Sequence, residues 1–361
     1  LPDALREPVG TWLERYGEQP HAEAVQRLVA CSEFAGALVL RDTPWFRDNV
    51  DSFDAPPEAG GLESLVDDAG DIESVKRVLR RYRNRFMLHV LWREVFGLAS
   101  LDETLQSLSA LADRMLDVAT CRAERALEPR YGIVRDRDGG KVPLVILGMG
   151  KLGGLELNFS SDVDLIFLYP DEGETDGARC VSAQEYFGRL TRQVIALLDE
   201  TTVDGFVFRI DTRLRPFGDS GPPVVSFGAL ESYLLQHGRE WERYAYVKAR
   251  IVGPWPGKDV ADDLHGNLIR PFVYRRYIDY GVFESLREMH AMIASEVRKR
   301  ELQDNIKLGP GGIREAEFIV QSLQLVRGGS DAALQAQALQ QVLPSLVNSR
   351  GLAAEEADRL R

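Results

Sequence analysis

Cysteine is scarce in this chain. Its 361 residues hold three, Cys31, Cys121 and Cys180, far apart and in no zinc-binding spacing. An odd, sparse count suits a reducing cytoplasm. Long apolar runs are missing as well: none approaches the length of a membrane span, and no signal-peptide pattern opens the chain. Basic charge is in deficit, with 44 Lys and Arg against 56 Asp and Glu and a net charge of -12. That argues against a broad nucleic-acid-binding surface while leaving room for a local basic pocket. There is no initial methionine, and the last residues fall inside a helical pattern, so a piece of a longer protein is expected. What is present is ordinary: 44% apolar and 28% charged residues, enough chain for two or three packed subdomains.

The most informative stretch runs from Val142 to Pro170. Val142 to Leu147 is an apolar, largely β-branched run ending at Gly148, which predicts a buried strand. Gly148-Met-Gly-Lys-Leu-Gly-Gly154 follows, without the glycine spacing or the hydroxyl residue of a Walker loop. Leu165 to Tyr169 is a second apolar run, stopped by Pro170. Asp162 and Asp164 stand at its entrance. Side chains two apart on a strand share a face, so both carboxylates can converge on one cation. Asp-x-Asp alone is most often a solvated turn, and the glycine turn alone is weak. Together they are stronger, because glycines let amides approach a phosphate and the acids hold the metal that neutralises it.

Phe206 to Pro216 predicts another strand, with Phe206, Phe208 and Ile210 on one face and Val207, Arg209, Asp211 and Arg213 on the other. An Arg-Asp ladder on a solvated face is the ordinary outcome. Two-metal chemistry needs a third acid, however, and the preceding helix is long enough to return Asp211 to the same sheet.

Elsewhere helices are expected. Residues 1 to about 135 read as helical, with a long segment from Glu73 to Phe96 whose basic start (Lys76, Arg77, Arg80, Arg81, Arg83, Arg85) is either a docking face or a solvated one. Asp51 to Asp71 reads as a mobile loop and Asp171 to Gly177 as a solvated one. Ser100-x-x-Glu103 and Ser182-x-x-Glu185 are capping boxes. Ser226 to Ile251 reads as helix interrupted near Gly238, with its aromatics in the core and with Lys248 and Arg250 as candidate phosphate partners. Tyr280 to Leu302 reads as one helix. Lys307-Leu-Gly-Pro-Gly-Gly-Ile-Arg314-Glu315 enters a further helix, either as an anion site built on Lys307, Arg314 and free amides or as a tight turn.

Gly148-Met-Gly-Lys-Leu-Gly-Gly through Asn158-Phe-Ser-Ser-Asp-Val-Asp-Leu-Ile-Phe resembles the bifunctional glutamine synthetase adenylyltransferase/adenylyl-removing family, within the polymerase-β-like nucleotidyltransferases. The Asp211-Thr-Arg-Leu-Arg-Pro and Gly-Gly-Ile-Arg-Glu-x-Glu-Phe segments resemble the same family, and the Asn-Phe-Ser-Ser-Asp form resembles its N-terminal, adenylyl-removing copy. The resemblance implies a helix-dominated α+β fold: a helical region (1–135), a nucleotidyltransferase core with a mixed sheet (136–257) and a truncated helical bundle (258–361). It implies Asp162, Asp164 and Asp211 as the catalytic metal-binding acids, for magnesium or alternatively manganese. Gly150, Lys151 and Ser161 would contact phosphates, and Arg209, Arg213 or Arg215 the entering phosphate. The implied reaction is phosphorolysis of adenylyl-tyrosine on glutamine synthetase, giving ADP. A nitrogen-signalling protein would act on the full-length chain, which would also adenylylate from ATP; nucleic acid and membrane are not expected partners. Adenylylation by this half itself, or a non-catalytic module that binds a signalling protein or glutamine, are the rival readings.

Overall fold

The computed structural model describes residues 21–275, 280–299, 305–307 and 309–360, together with Gly10 and Glu14. Helices α1 (Ala22–Cys31), α2 (Glu33–Arg41) and α3 (Thr43–Asn49) form a small N-terminal cluster. Next come α4 (Leu62–Asp67), α5 (Ile72–Val95) and α6 (Leu101–Tyr131). Helix α4 lies inside the stretch expected to be a mobile loop. Its Leu62 and Val66 are buried, one turn apart on one face, and that seats a helical turn despite the flanking glycines.

The basic start of α5 is neither a free docking face nor merely solvated. Arg80 is fully buried. Its guanidinium donates to the carbonyls of Gly205 at 2.8 Å, of Leu197 at 3.0 Å and of Glu200, stapling the helix to the segment that leads toward Ile210 and Asp211. Lys76 pairs with Glu73 and Glu200, and Arg85 with Asp42. Both expected capping boxes form by half. Ser100 and Ser182 accept from the amides of Glu103 and Glu185, but those carboxylates pair with Arg93 and Arg189 instead.

The centre of the molecule is a five-stranded mixed sheet. A two-stranded ribbon, β1 (Val134–Arg135) with β4 (Glu174–Thr175), lies beside it. It replaces the solvated loop expected at 171–177, because Thr175 is buried and Asp176 is tied to Arg135. In the main sheet β2 (Val145–Gly148) pairs antiparallel with β3 (Val163–Tyr169) and with β7 (Arg250–Val252). Strand β3 also pairs in parallel with β5 (Ile210–Asp211) and β6 (Val224–Ser226). Two expectations fail here. The strand from Phe206 shrinks to Ile210–Asp211, because Val207 and Phe208 are both buried and both donate to Leu198 O. The helix expected to reach Ile251 ends with α10 (Glu240–Tyr246), beyond α9 (Phe227–Gln236), and Arg250–Val252 closes the sheet edge.

Both faces of the sheet are covered, which is why β2 and β3 read as continuous apolar runs rather than alternating ones. Ile146, Leu165, Phe167 and Tyr169 face a core shared with α5, α6 and α8 (Ala183–Asp199). Phe187, Leu190, Thr191, Val194 and Leu198 of α8 are buried as its spacing predicts. Val145, Leu147, Ile166 and Leu168 face a second core with α9, α10 and the C-terminal helices. Those are α11 (Lys258–Asp262), a π-helical turn at Asp263–Ile269, α12 (Arg270–Val273), α13 (Tyr280–Lys299), α14 (Ile313–Arg327), α15 (Leu339–Asn348) and α16 (Ala354–Arg359). Residues 300–302 of the helix expected to reach Leu302, and most of residues 1–20, lie outside the described residues. Trp241, expected in the core, is exposed, whereas Tyr246 is buried. Among the described residues no helix is long and apolar enough to cross a membrane.

Candidate active site

The site forms where β2 ends and β3 begins, since antiparallel pairing sets Gly148 opposite Leu165. Met149 N donates to Asp164 O at 2.9 Å, so the glycine turn is stitched to the strand that carries the acids. The chain then makes a single helical turn, α7 (Gly150–Gly153). Gly150 has φ of +52°, and a Cβ there would stand 2.9 Å from Asp164 Oδ2. Only glycine fits both the left-handed backbone and this approach. Gly153 is equally constrained, since a Cβ would fall 1.9 Å from Lys248 O.

Parallel pairing of β3 with β5 sets Asp164 directly opposite Asp211. Asp162, two residues before Asp164, shares its face. The Asp164 carboxyl is pushed up to about 6, first by burial and then by the negative charges of Asp211 and Asp162. Two arginines hold the other acids. Arg209 Nε donates to Asp162 Oδ1 at 2.5 Å, and its Nη2 to Ser160 O at 3.0 Å. Arg213 clamps Asp211 through its side chain and through its backbone amide at 2.8 Å. Hydrogen bonds from Arg213 hold the Asp211 carboxyl below its ordinary range.

Lys151 and Lys307 complete the site. Burial lowers the Lys151 amine, and the positive charge of Lys307 lowers it further. Lys307 is close enough to act on Asp164 as well. Neither lysine has an ion-pair partner among the described residues. An uncompensated lysine pair beside an acid cluster is a place for a bound anion.

The remaining sequence-named residues are placed differently. Ser161 Oγ donates to Asn158 Oδ1 at 2.5 Å, closing the turn before Asp162. Arg215 is mostly buried and donates to Thr212 O and Oγ1 at 2.9 and 2.7 Å, with no hydrogen bond to the three acids, although its charge reaches Asp211. Lys248 is buried between Glu156 at 2.6 Å and Glu317 at 2.7 Å. Arg250 is held by Asp113 at 2.8 Å and by Leu152 O at 3.0 Å. Arg314 is exposed at the start of α14, its amide donating to Lys307 O. Sequence reasoning missed Glu156 and Glu317. Both sit inside the quoted motifs, yet their common partner is 92 and 69 residues away.

A hard oxygen-seeking cation fits this site in kind, since all three candidate ligands are carboxylates and the central one is destabilised by its neighbours. Among the described residues no three ligating side chains already stand in metal-holding geometry. Asp162 and Asp211 are engaged by Arg209 and Arg213, so a cation bound to those carboxylates would compete with the arginines.

The sequence profile of the glutamate-ammonia ligase adenylyltransferase family matches residues 22–262, and that of the GlnD PII-uridylyltransferase family matches residues 287–361. Relatives named bifunctional glutamine synthetase adenylyltransferase/adenylyl-removing enzyme include one from Shewanella loihica, 48% identical over 87% of this chain and 33% of its own length. One from Pseudomonas aeruginosa is 44% identical over 97% and 36%, and one from Thioalkalivibrio sulfidiphilus is 46% identical over 94% and 35%. The chain therefore spans about a third of the length of the curated relatives it matches. With a profile match running unbroken through the glycine turn, the three acids and the sheet that presents them, the chain belongs to the glutamate-ammonia ligase adenylyltransferase family.

Proposed function

We propose that this chain carries the adenylyl-removing reaction: phosphorolysis of adenylyl-tyrosine on glutamine synthetase. The observation that supports it most is the pairing, at one end of the sheet, of a repelling acid cluster with unpaired Lys151 and Lys307. The relatives are named as adenylyl-removing enzymes as well as adenylyltransferases. An oxygen of hydrogen phosphate forms a bond to the adenylyl phosphorus while the bond from phosphorus to the tyrosine oxygen breaks. The electron pair leaves on that oxygen, which takes the proton the hydrogen phosphate gives up. The products are ADP and free tyrosine.

The residues divide the work by charge. Asp162, Asp164 and Asp211 would hold magnesium, or manganese, which when bound would supply Lewis acidity toward the phosphoryl oxygens. Lys151 and the amides of the glycine turn fix the adenylyl phosphate. Arg209 and Arg213, released from their acids, receive the entering phosphate with planar forks that match its oxygens. Incubation with adenylylated glutamine synthetase, phosphate and magnesium should yield ADP; no ADP from a folded, metal-loaded protein would refute the reading. In the longer protein the C-terminal bundle, matched by the GlnD profile, is where a nitrogen-signalling protein would act.

A second reading has its own support, because the matching family profile is named for adenylyl attachment. Labelled ATP with unmodified glutamine synthetase separates the two: transfer of label to tyrosine by this chain alone would favour attachment.

A further inference from the structure

Behind the reaction centre, between α2, α5 and the approach to β5, lies a separate cavity of about 540 Å³. That volume is in the range of small-molecule sites, roughly 300–1,000 Å³. Its walls are mostly apolar, supplied by Phe34, Met87, Leu91, Phe159 and Phe206, with Arg83 among them; Asp204, which also lines it, is already paired with Arg41 and Arg81. Arg83 differs from three of its neighbours on the helix. Arg80, Arg81 and Arg85 are each engaged with carbonyls or carboxylates. Arg83 donates only to the neutral Asn84 Oδ1, at 2.9 Å, and its Nε is buried with no partner. Its guanidinium stacks at 5.5 Å from the Phe34 ring centre and 5.8 Å from that of Phe206. Burial lowers its pKa to about 10.

A half-buried guanidinium whose buried Nε has no acceptor and which has no counter-charge is destabilised, and a charge-assisted hydrogen bond relieves that. Rings on both sides of it offer an apolar body a place to lie. We propose that this cavity binds a small amphipathic anion, a carboxylate or phosphate carried on an aromatic or aliphatic body, with its headgroup on Arg83. The site is distinct from the phosphate positions of the proposed reaction, which lie on Lys151, Arg209 and Arg213. It adjoins them, because the Phe206 ring that stacks on Arg83 also has the Arg209 guanidinium 5.8 Å from its centre.

The test uses phenyl phosphate and phenylacetate as probes, followed by calorimetry and by NMR saturation transfer. Saturable binding at one site is expected, and whichever probe binds more tightly identifies the headgroup. Inorganic phosphate, which lacks the apolar body, should displace either probe only weakly; displacement as strong as by the probes themselves overturns the proposal. Arg83→Gln should weaken binding about tenfold or more, the scale of one lost charge-assisted hydrogen bond, and Lys151→Ala should leave it unchanged. Should Arg83→Gln fail to fold, Ala37→Trp at the cavity wall decides, since filling the space should abolish binding. Absence of saturable binding to the wild type overturns the proposal. So does binding that survives both cavity variants, or that is lost in Lys151→Ala alone, which would put the probe in the reaction cleft.

Discussion

Two charged clusters grow from the same glycine turn, and they are built oppositely. On one side Lys248 is buried between Glu156 and Glu317, and Glu156 Oε1 also accepts from the Leu339 amide at 2.6 Å. Burial alone would lower the Lys248 amine, but the two carboxylates overcome it and raise its pKa. Charge is answered there, and three distant segments, the glycine turn, α14 and the start of α15, are fastened together. On the other side Arg209 and Arg213 answer Asp162 and Asp211, but Asp164 between them has no ion-pair partner among the described residues, and Lys151 and Lys307 stand unpaired. Balanced charge in the interior holds structure. Unbalanced charge at an open edge stores an interaction for something that arrives later.

The comparison is broken most severely at the open cluster. Asp162→Asn or Asp164→Asn should cut turnover roughly 10³-fold, the scale of removing one preorganised electrostatic group, while leaving circular dichroism unchanged. Wild-type turnover in both variants would remove the acids from the mechanism. At the buried cluster the loss should be of stability rather than chemistry. Lys248→Met leaves two half-buried carboxylates without a cation and should cost about 3 kcal/mol in urea denaturation, the low end for breaking a buried pair. A loss no larger than that of an exposed lysine would mean that the knot is not fastening the fold.

The clusters should also differ in pH response. Asp164 is protonated more readily folded than unfolded, since its value rises from an ordinary 3.8 to about 6. The native state then binds the extra proton between those values, so stability falls as pH rises through that window. In metal-free protein, Asp164→Asn should therefore be the more stable form at pH 8, by roughly 2 kcal/mol after solvent screening, and should match wild type near pH 4. A variant less stable than wild type at pH 8 would contradict the repulsion. The smallest effect separates the arginines. Arg209→Lys and Arg213→Lys should each raise the phosphate concentration for half-maximal rate by a few-fold, because an ammonium lacks the fork. Arg215→Lys, whose native side chain holds its own loop, should not. Equal dependence on phosphate in all three would misplace the entering group.

The open cluster was legible in the sequence and the closed one was not, for physical reasons. Strands β2 and β3 are buried on both faces, so each is a continuous apolar run, and acids at the mouth of such a run stand out. Strand β7 is three residues long and begins with Arg250; only pairing with β2 makes it a strand, and no local pattern encodes that. Lys248 stood out as a lone cation because its partners come from the glycine turn and from α14, brought to it by the fold. Helix α4 was hidden by the glycines and prolines around it, though its two buried residues sit one turn apart.

Oxygen-labelled phosphate tests the central claim most directly. Supplied with adenylylated glutamine synthetase and magnesium, this chain should place the label in the β-phosphoryl group of ADP and none in the released tyrosine. AMP as the main product, or ADP without label, would contradict direct attack by phosphate.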